Sequence, residues 1–196
     1  MLSDRFRKGQ SPREDMFVKG LLLVVAAGMA VSGCAGSMSE RASPAPLAAG
    51  ATLKNKEGVQ VGVATLIQMP EGVRISVTGY RLPPGRKGIH IHAVGQCQPP
   101  AFDSAGPHFN PMGKRHGHKN PEGPHAGDLP NMEVSAAGEG GIDYVDPLVT
   151  LRAGQPGSLV GGNGTSLVIH AGPDDEVTDP SGNSGARIAC GVIAVE

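Results

Sequence analysis

The chain has 196 residues, of which 17 are basic and 18 acidic, for a formal net charge of −1; 3% are aromatic and none is tryptophan. This length can bury one core built from Val, Ile, Leu and Ala, while the near-neutral balance and the lack of basic runs interleaved with aromatics argue against a nucleic-acid surface. Glycine (30) and proline (17) approach a low-complexity share, yet they fall between short alternating apolar runs, the pattern of an all-β chain rich in turns.

In chain order the first element is a leader. Residues 17–34 form a positively flanked apolar run that ends in Val31-Ser-Gly-Cys34. The run is short for a transmembrane span, and small residues precede the cysteine as a signal peptidase requires. A lipoprotein signal is therefore expected over residues 1–34, with Cys34 becoming the lipidated N-terminus of an exported, membrane-anchored protein. Met16 offers a second start that leaves a leader of conventional length. Ala35 gives no aspartate retention signal after the cysteine, so the periplasmic side of the outer membrane is the expected address in a cell that has one. Residues 35–50, rich in Ala, Ser and Pro, read as a flexible tether. Residues 51–196 read as the folded domain; everything after Cys34 carries 12 basic and 15 acidic residues, a net charge of −3.

Eight strands are expected, over residues 51–56, 59–69, 73–80, 88–94, 131–136, 141–145, 164–170 and 187–195, each bounded by Gly, Pro, Asn or Asp. They suffice for an eight-stranded antiparallel barrel or sandwich. Two stretches are not strands. Residues 96–130 are far longer than a normal connection and rich in Gly, Pro and His, and residues 171–186 form a second long loop. Function is expected there.

Six of the seven histidines and one aspartate supply the chemistry. His90 and His92 lie two apart on a strand, so both face one way while Ile89, Ile91 and Ala93 face a core. His108, His116, His125 and Asp128 follow in the first long stretch, and His170 opens the second. Two four-coordinate metal sites need eight donor positions, and seven residues fill them if one imidazole binds a metal through each ring nitrogen. His108, between the early pair and the later group, is the natural bridge. An all-imidazole set with an open flank (His90, His92, His108, His170) suits copper, and three imidazoles plus a carboxylate (His108, His116, His125, Asp128) suit zinc. A lone H-x-H is more often a polar strand face, and Gly106-Pro-His108 alone could be a turn. The conjunction in order is what carries weight. No motif position claims His118, for which a surface role is expected.

Four motifs, Gly88-Ile-His90-Ile-His92, Gly106-Pro-His108-Phe-Asn-Pro111, His125-Ala-Gly-Asp128-Leu and Gly185-Ala-Arg187-Ile-Ala-Cys190-Gly-Val192, make the chain similar to the Cu,Zn superoxide dismutases from about residue 51 onward. The resemblance implies a Greek-key barrel with two functional loops and one copper and one zinc ion per subunit. It further implies conversion of superoxide to dioxygen and hydrogen peroxide at a histidine-bridged site, with Arg187 beside copper and His108 passing a proton. Asp174 matches a carboxylate that accepts hydrogen bonds from one ligand histidine of each metal, although Asp175 serves almost as well on spacing. With Cys34 lipidated, Cys97 and Cys190 remain as an even pair in an exported protein and should form a disulfide, which the resemblance places between the first loop and the last strand. The second loop holds Asp174, Asp175, Glu176 and Asp179 but no lysine, so Lys114, Arg115 and Lys119 are the cations left to attract an anion. A homodimer is compatible with the sequence and not specified by it.

Two other readings were weighed. A dinuclear metallohydrolase would continue H-x-H-x-D and alternate strands with helices, whereas Gly95 follows Val94 here and no amphipathic helix is apparent. A non-enzymatic copper- or zinc-binding module of the same fold would typically lack a copper ligand or the arginine, and this chain has them all.

Overall fold

The computed structural model describes residues 47–195; the expected leader, Cys34 and nearly all of the expected tether lie outside the described residues. Alternation of apolar and polar side chains shapes the first three strands. β1 (Ala48–Asn55) buries Ala49, Ala51 and Leu53, β2 (Gln60–Met69) buries Val61, Ala64 and Leu66, and β3 (Gly72–Gly79) buries Val73, Ile75 and Val77. The β1–β2 turn is fixed locally, because Asn55 Oδ1 accepts the backbone N–H groups of Glu57 and Val59 at 3.1 and 2.9 Å. Then come β4 (Gly85–Lys87), β5 (Ile89–His92), β6 (Met132–Val134), β7 (Gly140–Asp146), β8 (Thr165–His170) and β9 (Arg187–Val195).

All neighbouring strands pair antiparallel in one sheet of order β4-β6-β7-β3-β2-β1-β9-β8-β5. Its two edges, β4 and β5, are consecutive in the chain and separated only by Gly88, so the backbone itself joins them and the sheet nearly closes into a barrel. The links from β3 to β4, β5 to β6 and β7 to β8 skip over neighbouring strands, as Greek-key connections do. The core inside is aliphatic: Leu53, Leu66, Ile75, Ile89, Ile91, Leu129, Leu167 and Ile169 are fully buried.

Three expectations change. The sheet has nine strands, not eight: Gly85-Arg-Lys87 pairs with β6, but three residues without alternation carry no strand signal. β1 begins inside the stretch read as a tether, where Ala48, Ala49 and Gly50 pair with Ile67, Leu66 and Thr65. An Ala-Ala-Gly sequence looks the same in a linker and in a small-residue strand end. Finally Ala93, expected in the core with Ile89 and Ile91, is only half-buried and lines a cavity, because β5 ends at His92.

The long stretch between β5 and β6 is ordered by backbone pairing onto the free edge of β5. Ile91 donates to the Gly127 carbonyl and accepts from Phe109, both at 2.8 Å, and Ala93 donates to Pro107 at 2.9 Å. These contacts set His90 opposite Asp128 and His92 opposite His108. The Cys97–Cys190 disulfide, spanning 93 residues, fastens the start of this stretch to β9. Closing a loop of that size contributes about 2–5 kcal/mol in the chain-entropy picture.

One buried acid in the frame yields a prediction. Asp146, 2% exposed at the end of β7, accepts the Leu148 N–H at 2.8 Å while its Oδ2 has no partner among the described residues. Burial pushes its carboxyl up to about 6, with the Leu148 N–H opposing. The folded state therefore favours the neutral acid, and the group's contribution to stability falls as pH rises from about 4 to about 6, then stays level. Asp146→Asn, compared with the parent by urea unfolding of the metal-free proteins, is expected to be relatively more stable by about 2–3 kcal/mol at pH 7.5, shrinking to about 1 kcal/mol near pH 4.5 and towards zero below the ordinary carboxyl range. A difference independent of pH would contradict this.

Candidate metal centre

β5, β8 and the two long loops bring seven side chains together beneath the barrel's edge. His90 and His92 project from β5, His170 ends β8, and His108, His116, His125 and Asp128 come from the first loop; all seven are buried. They form two groups. His90, His92, His108 and His170 bring ligand atoms within 4.8 Å of one another, as do His108, His116, His125 and Asp128, and His108 belongs to both.

Backbone carbonyls determine which nitrogens stay bare. A carbonyl can only accept, so His92 must carry its proton on Nδ1, 2.8 Å from the Gly106 oxygen, and His170 on Nδ1, 3.0 Å from the Gly185 oxygen. Their Nε2 atoms are left with lone pairs. Asp174 does the same for two further rings: its Oδ2 accepts from His90 Nε2 at 2.7 Å and its Oδ1 from His116 Nε2 at 3.0 Å, leaving both Nδ1 atoms bare. The buried nitrogens without a protein partner among the described residues are His90 Nδ1, His92 Nε2, His108 Nε2 and His170 Nε2 in the first group, and His116 Nδ1 and His125 Nδ1 in the second.

Burial keeps the first group neutral. It lowers His90 to about 3, His92 to about 2 and His170 to about 4, and lowers His108 as well, so these rings offer lone pairs across the physiological range. In the second group burial opposes charge at His116, but the carboxylates of Asp128 and Asp174 outweigh it and raise that ring to about 9. Burial also works against the Asp128 carboxylate, yet the three histidines gathered around it and the Gly117 N–H hold it well below the usual range. Asp128 Oδ1 alone faces His108 Nδ1, His116 Nδ1 and His125 Nδ1 at 2.9, 3.1 and 3.2 Å. With its affinity for a proton raised to about 9, His116 carries positive charge at neutral pH and sits against both carboxylates, the place a metal cation would take. Both donor sets thus fit metal ions: neutral imidazoles alone in the first, a softer site, and a carboxylate with three imidazoles in the second.

The two loops close over these groups. Gly182, with φ +62, lets the chain pass Asp174 so tightly that a Cβ there would lie 1.8 Å from Asp174 Oδ1. Of the two adjacent acids only Asp174 reaches the histidines; the Asp175 carboxylate turns outward to the N–H groups of Val177 and Thr178 and to Asn183. Lys87 is buried and donates to the Ala171 carbonyl at 2.8 Å, fixing where the second loop leaves β8. Arg187 donates to the carbonyls of Phe102 and Gly106 at 2.7 and 2.8 Å and lines a cavity of about 410 Å³ with His92, His108, His170, Pro180 and Ser181. His118 is exposed, and its Nε2–H donates to the Asp128 backbone carbonyl at 2.9 Å, so it braces the loop from outside either group.

The cations expected to attract an anion are mostly engaged. Lys119 pairs with Glu176 at 2.9 Å and Arg115 with Asp179 at 3.2 Å, while Lys114 makes no ion pair among the described residues and lines a cavity beside His108 and His125. Sequence reasoning had singled out Gly106 and Gly185 only as parts of motifs, and missed Lys87 altogether. Nothing in a linear pattern distinguishes a carbonyl that will orient a ring.

Comparison with known proteins agrees with this geometry. Residues 60–193 match the family described as copper/zinc superoxide dismutase (SODC). The chain is similar to Cu-Zn superoxide dismutase 2 of Aquifex aeolicus, 51% identical over 148 residues, covering 75% of this chain and 86% of the relative. With Cu-Zn superoxide dismutase 1 of the same organism it shares 49% identity over 144 residues, covering 73% and 85%. Among solved structures it is similar to a SOD-like protein from Bacillus subtilis, with a TM-score of 0.70 at 42% identity, covering 73% of this chain and 96% of that one.

Placing His118 outside both donor groups leads to a direct comparison. His116→Ala is expected to lose most of its zinc, and His118→Ala to retain zinc close to the parent level, with metal content per chain as the measurement. The reverse pattern would mean that the two histidines exchange roles.

Proposed function

The chain belongs to the copper/zinc superoxide dismutase family, and on that premise we propose how its own residues divide the work of converting two superoxide anions and two protons to dioxygen and hydrogen peroxide. The protein is an oxidoreductase. In this proposal each subunit holds one copper through His90, His92, His108 and His170, and one zinc through His108, His116, His125 and Asp128. Copper supplies reversible one-electron chemistry, and zinc a fixed charge that does not change oxidation state.

The observation that carries the proposal is the double membership of His108. Its Nδ1 faces Asp128 Oδ1 at 2.9 Å, and its bare Nε2 belongs to the group that lines the Arg187 cavity. That Nε2 is the atom able to hold a proton and pass it to a reduced dioxygen species in the same cavity. Arg187 receives the anion. Two carbonyl acceptors hold its guanidinium in place, and because burial lowers its affinity for a proton only from a very high starting point, it stays charged in working conditions. Asp174 orients His90 and His116 together, so one carboxylate keeps both donor groups in register.

The non-enzymatic alternative of the same fold fits less well, since all four histidines of the first group are brought together and three of them, His92, His108 and His170, share one cavity with Arg187. Export, lipidation at Cys34 and a position on the periplasmic face of the outer membrane also belong to the proposal; they rest on the Val31-Ser-Gly-Cys34 pattern. A homodimer is proposed with them, and exposed Val63, Val192 and Val195 along a groove of about 810 Å³ on β1, β2 and β9 are its candidate face.

Three measurements test these assignments. Arg187→Ala is expected to lower the second-order rate by about ten- to a hundredfold with metal content intact. In a salt series Lys114→Gln should flatten the fall of the rate with ionic strength more than neutralising Arg115 or Lys119, which are already paired; equal slopes for all three would remove Lys114 as the attracting cation. For the anchor, Cys34→Ser should give an exported, active enzyme that no longer partitions into detergent, and continued membrane association would contradict lipidation.

A further inference from the structure

The loop of residues 171–186 is acidic and contains no lysine, and each of its carboxylates is engaged within the two loops or at their base. Asp174 joins His90 to His116. Asp179 accepts the His116 backbone N–H at 2.8 Å and Arg115 at 3.2 Å. Glu176 has as many partners as Asp174. Its carboxylate, 16% exposed, takes Lys119 Nζ at 2.9 Å from the first loop, Arg86 at 3.4 Å from β4 and the Asn131 amide at 3.3 Å from the entry to β6. Its backbone is engaged as well: the N–H donates to Asp174 Oδ1 at 2.6 Å and the carbonyl accepts the Lys119 N–H at 3.0 Å.

This arrangement is bought with backbone strain. Glu176 sits at φ +65, the left-handed region that a glutamate rarely adopts. Opposite it, a Cβ on Gly117 would lie 2.0 Å from the Glu176 carbonyl oxygen, so the residue after His116 has to be glycine for the two loops to meet. A strained residue persists where its surroundings over-determine it, and here three polar side chains and two backbone bonds do so.

We propose that Glu176 is a positioning residue which, through Lys119, staples the second loop to the segment carrying His116 and thereby sets how long zinc is retained by His108, His116, His125 and Asp128. The inference rests on the zinc assignment above and adds to it what controls release. For zinc to leave, the His116 segment must move away from Asp174, and that separation has to break the Glu176 contacts with Lys119 and the backbone bond between the same two residues. A single exposed ion pair is weak, but this carboxylate is largely shielded and shares three polar neighbours, which makes the contacts cooperative. The same pairing removes Lys119 from the field that an incoming anion meets, so retention is gained at the expense of attraction.

The test uses the metal-loaded protein and three variants: Glu176→Gln, Lys119→Met and the two combined. Zinc transfer to an excess of chromogenic chelator is followed across a salt series, with copper content and global unfolding recorded in parallel. Each single variant is expected to release zinc about tenfold faster at low salt while keeping its copper. The parent's release should accelerate with salt and the variants' should not, because screening weakens only a charged contact that exists. The double variant should be little faster than either single one. Unchanged release and unchanged salt dependence in both single variants would overturn the proposal, and so would loss of zinc and copper together in step with unfolding, the signature of a merely structural role. Lys119 is largely exposed, so Lys119→Met decides the matter even if Glu176→Gln does not fold. A parent that binds no zinc at all would instead contradict the zinc assignment; a parent that keeps zinc while the variants behave identically contradicts the staple alone.

Discussion

Everything at the centre depends on where a few protons are held. Six imidazoles are buried in a small volume, and four of them have an acceptor behind the ring that fixes one nitrogen as the donor and turns the other inward. The Gly106 and Gly185 carbonyls do this for His92 and His170, and Asp174 does it for His90 and His116. Burial keeps His90, His92 and His170 uncharged far below neutral pH. The bare nitrogens of His90, His92, His108 and His170 converge with no protein partner among the described residues, and a cation would satisfy them together. The outer contacts hold these nitrogens in place for metal ions.

The fold supplies those contacts from its edges. Since β4 and β5 are both sheet edges and neighbours in sequence, the strand that carries His90 and His92 has one side free, and the first long loop pairs with that side. The loop brings His108 and Asp128 with it. Gly106 links the parts further: its carbonyl accepts from both His92 and Arg187 at 2.8 Å, so the ring in the first donor group and the guanidinium beside it share one anchor. The disulfide from Cys97 to Cys190 keeps that anchor against β9, three residues beyond Arg187. A change that loosens residues 97–106 therefore disturbs the ring and the cation together.

Much of this was legible in the sequence, for identifiable reasons. H-x-H on a strand places two rings on one face, and apolar alternation marks the long strands, so the all-β class and the grouping of the histidines follow from short-range periodicity. What the sequence could not display were relations across the fold. β4 is three residues long and polar, and it exists only because β6 lies beside it. Asp174 and Asp175 are equivalent on spacing and are separated only by which way the loop turns at Gly182. Lys119 and Arg115 are free cations in one dimension and become ion-paired once the second loop folds over the first.

The central claim is that one imidazole, His108, serves both donor groups, which hold different metals. Diffraction from crystals of the metal-loaded protein, recorded on either side of the copper and zinc absorption edges, addresses it most directly. The account predicts two separate anomalous peaks per chain: copper bounded by His90 Nδ1, His92 Nε2, His108 Nε2 and His170 Nε2, and zinc bounded by the Nδ1 atoms of His108, His116 and His125 with Asp128. A single peak, or two peaks of which only one contacts His108, would contradict it.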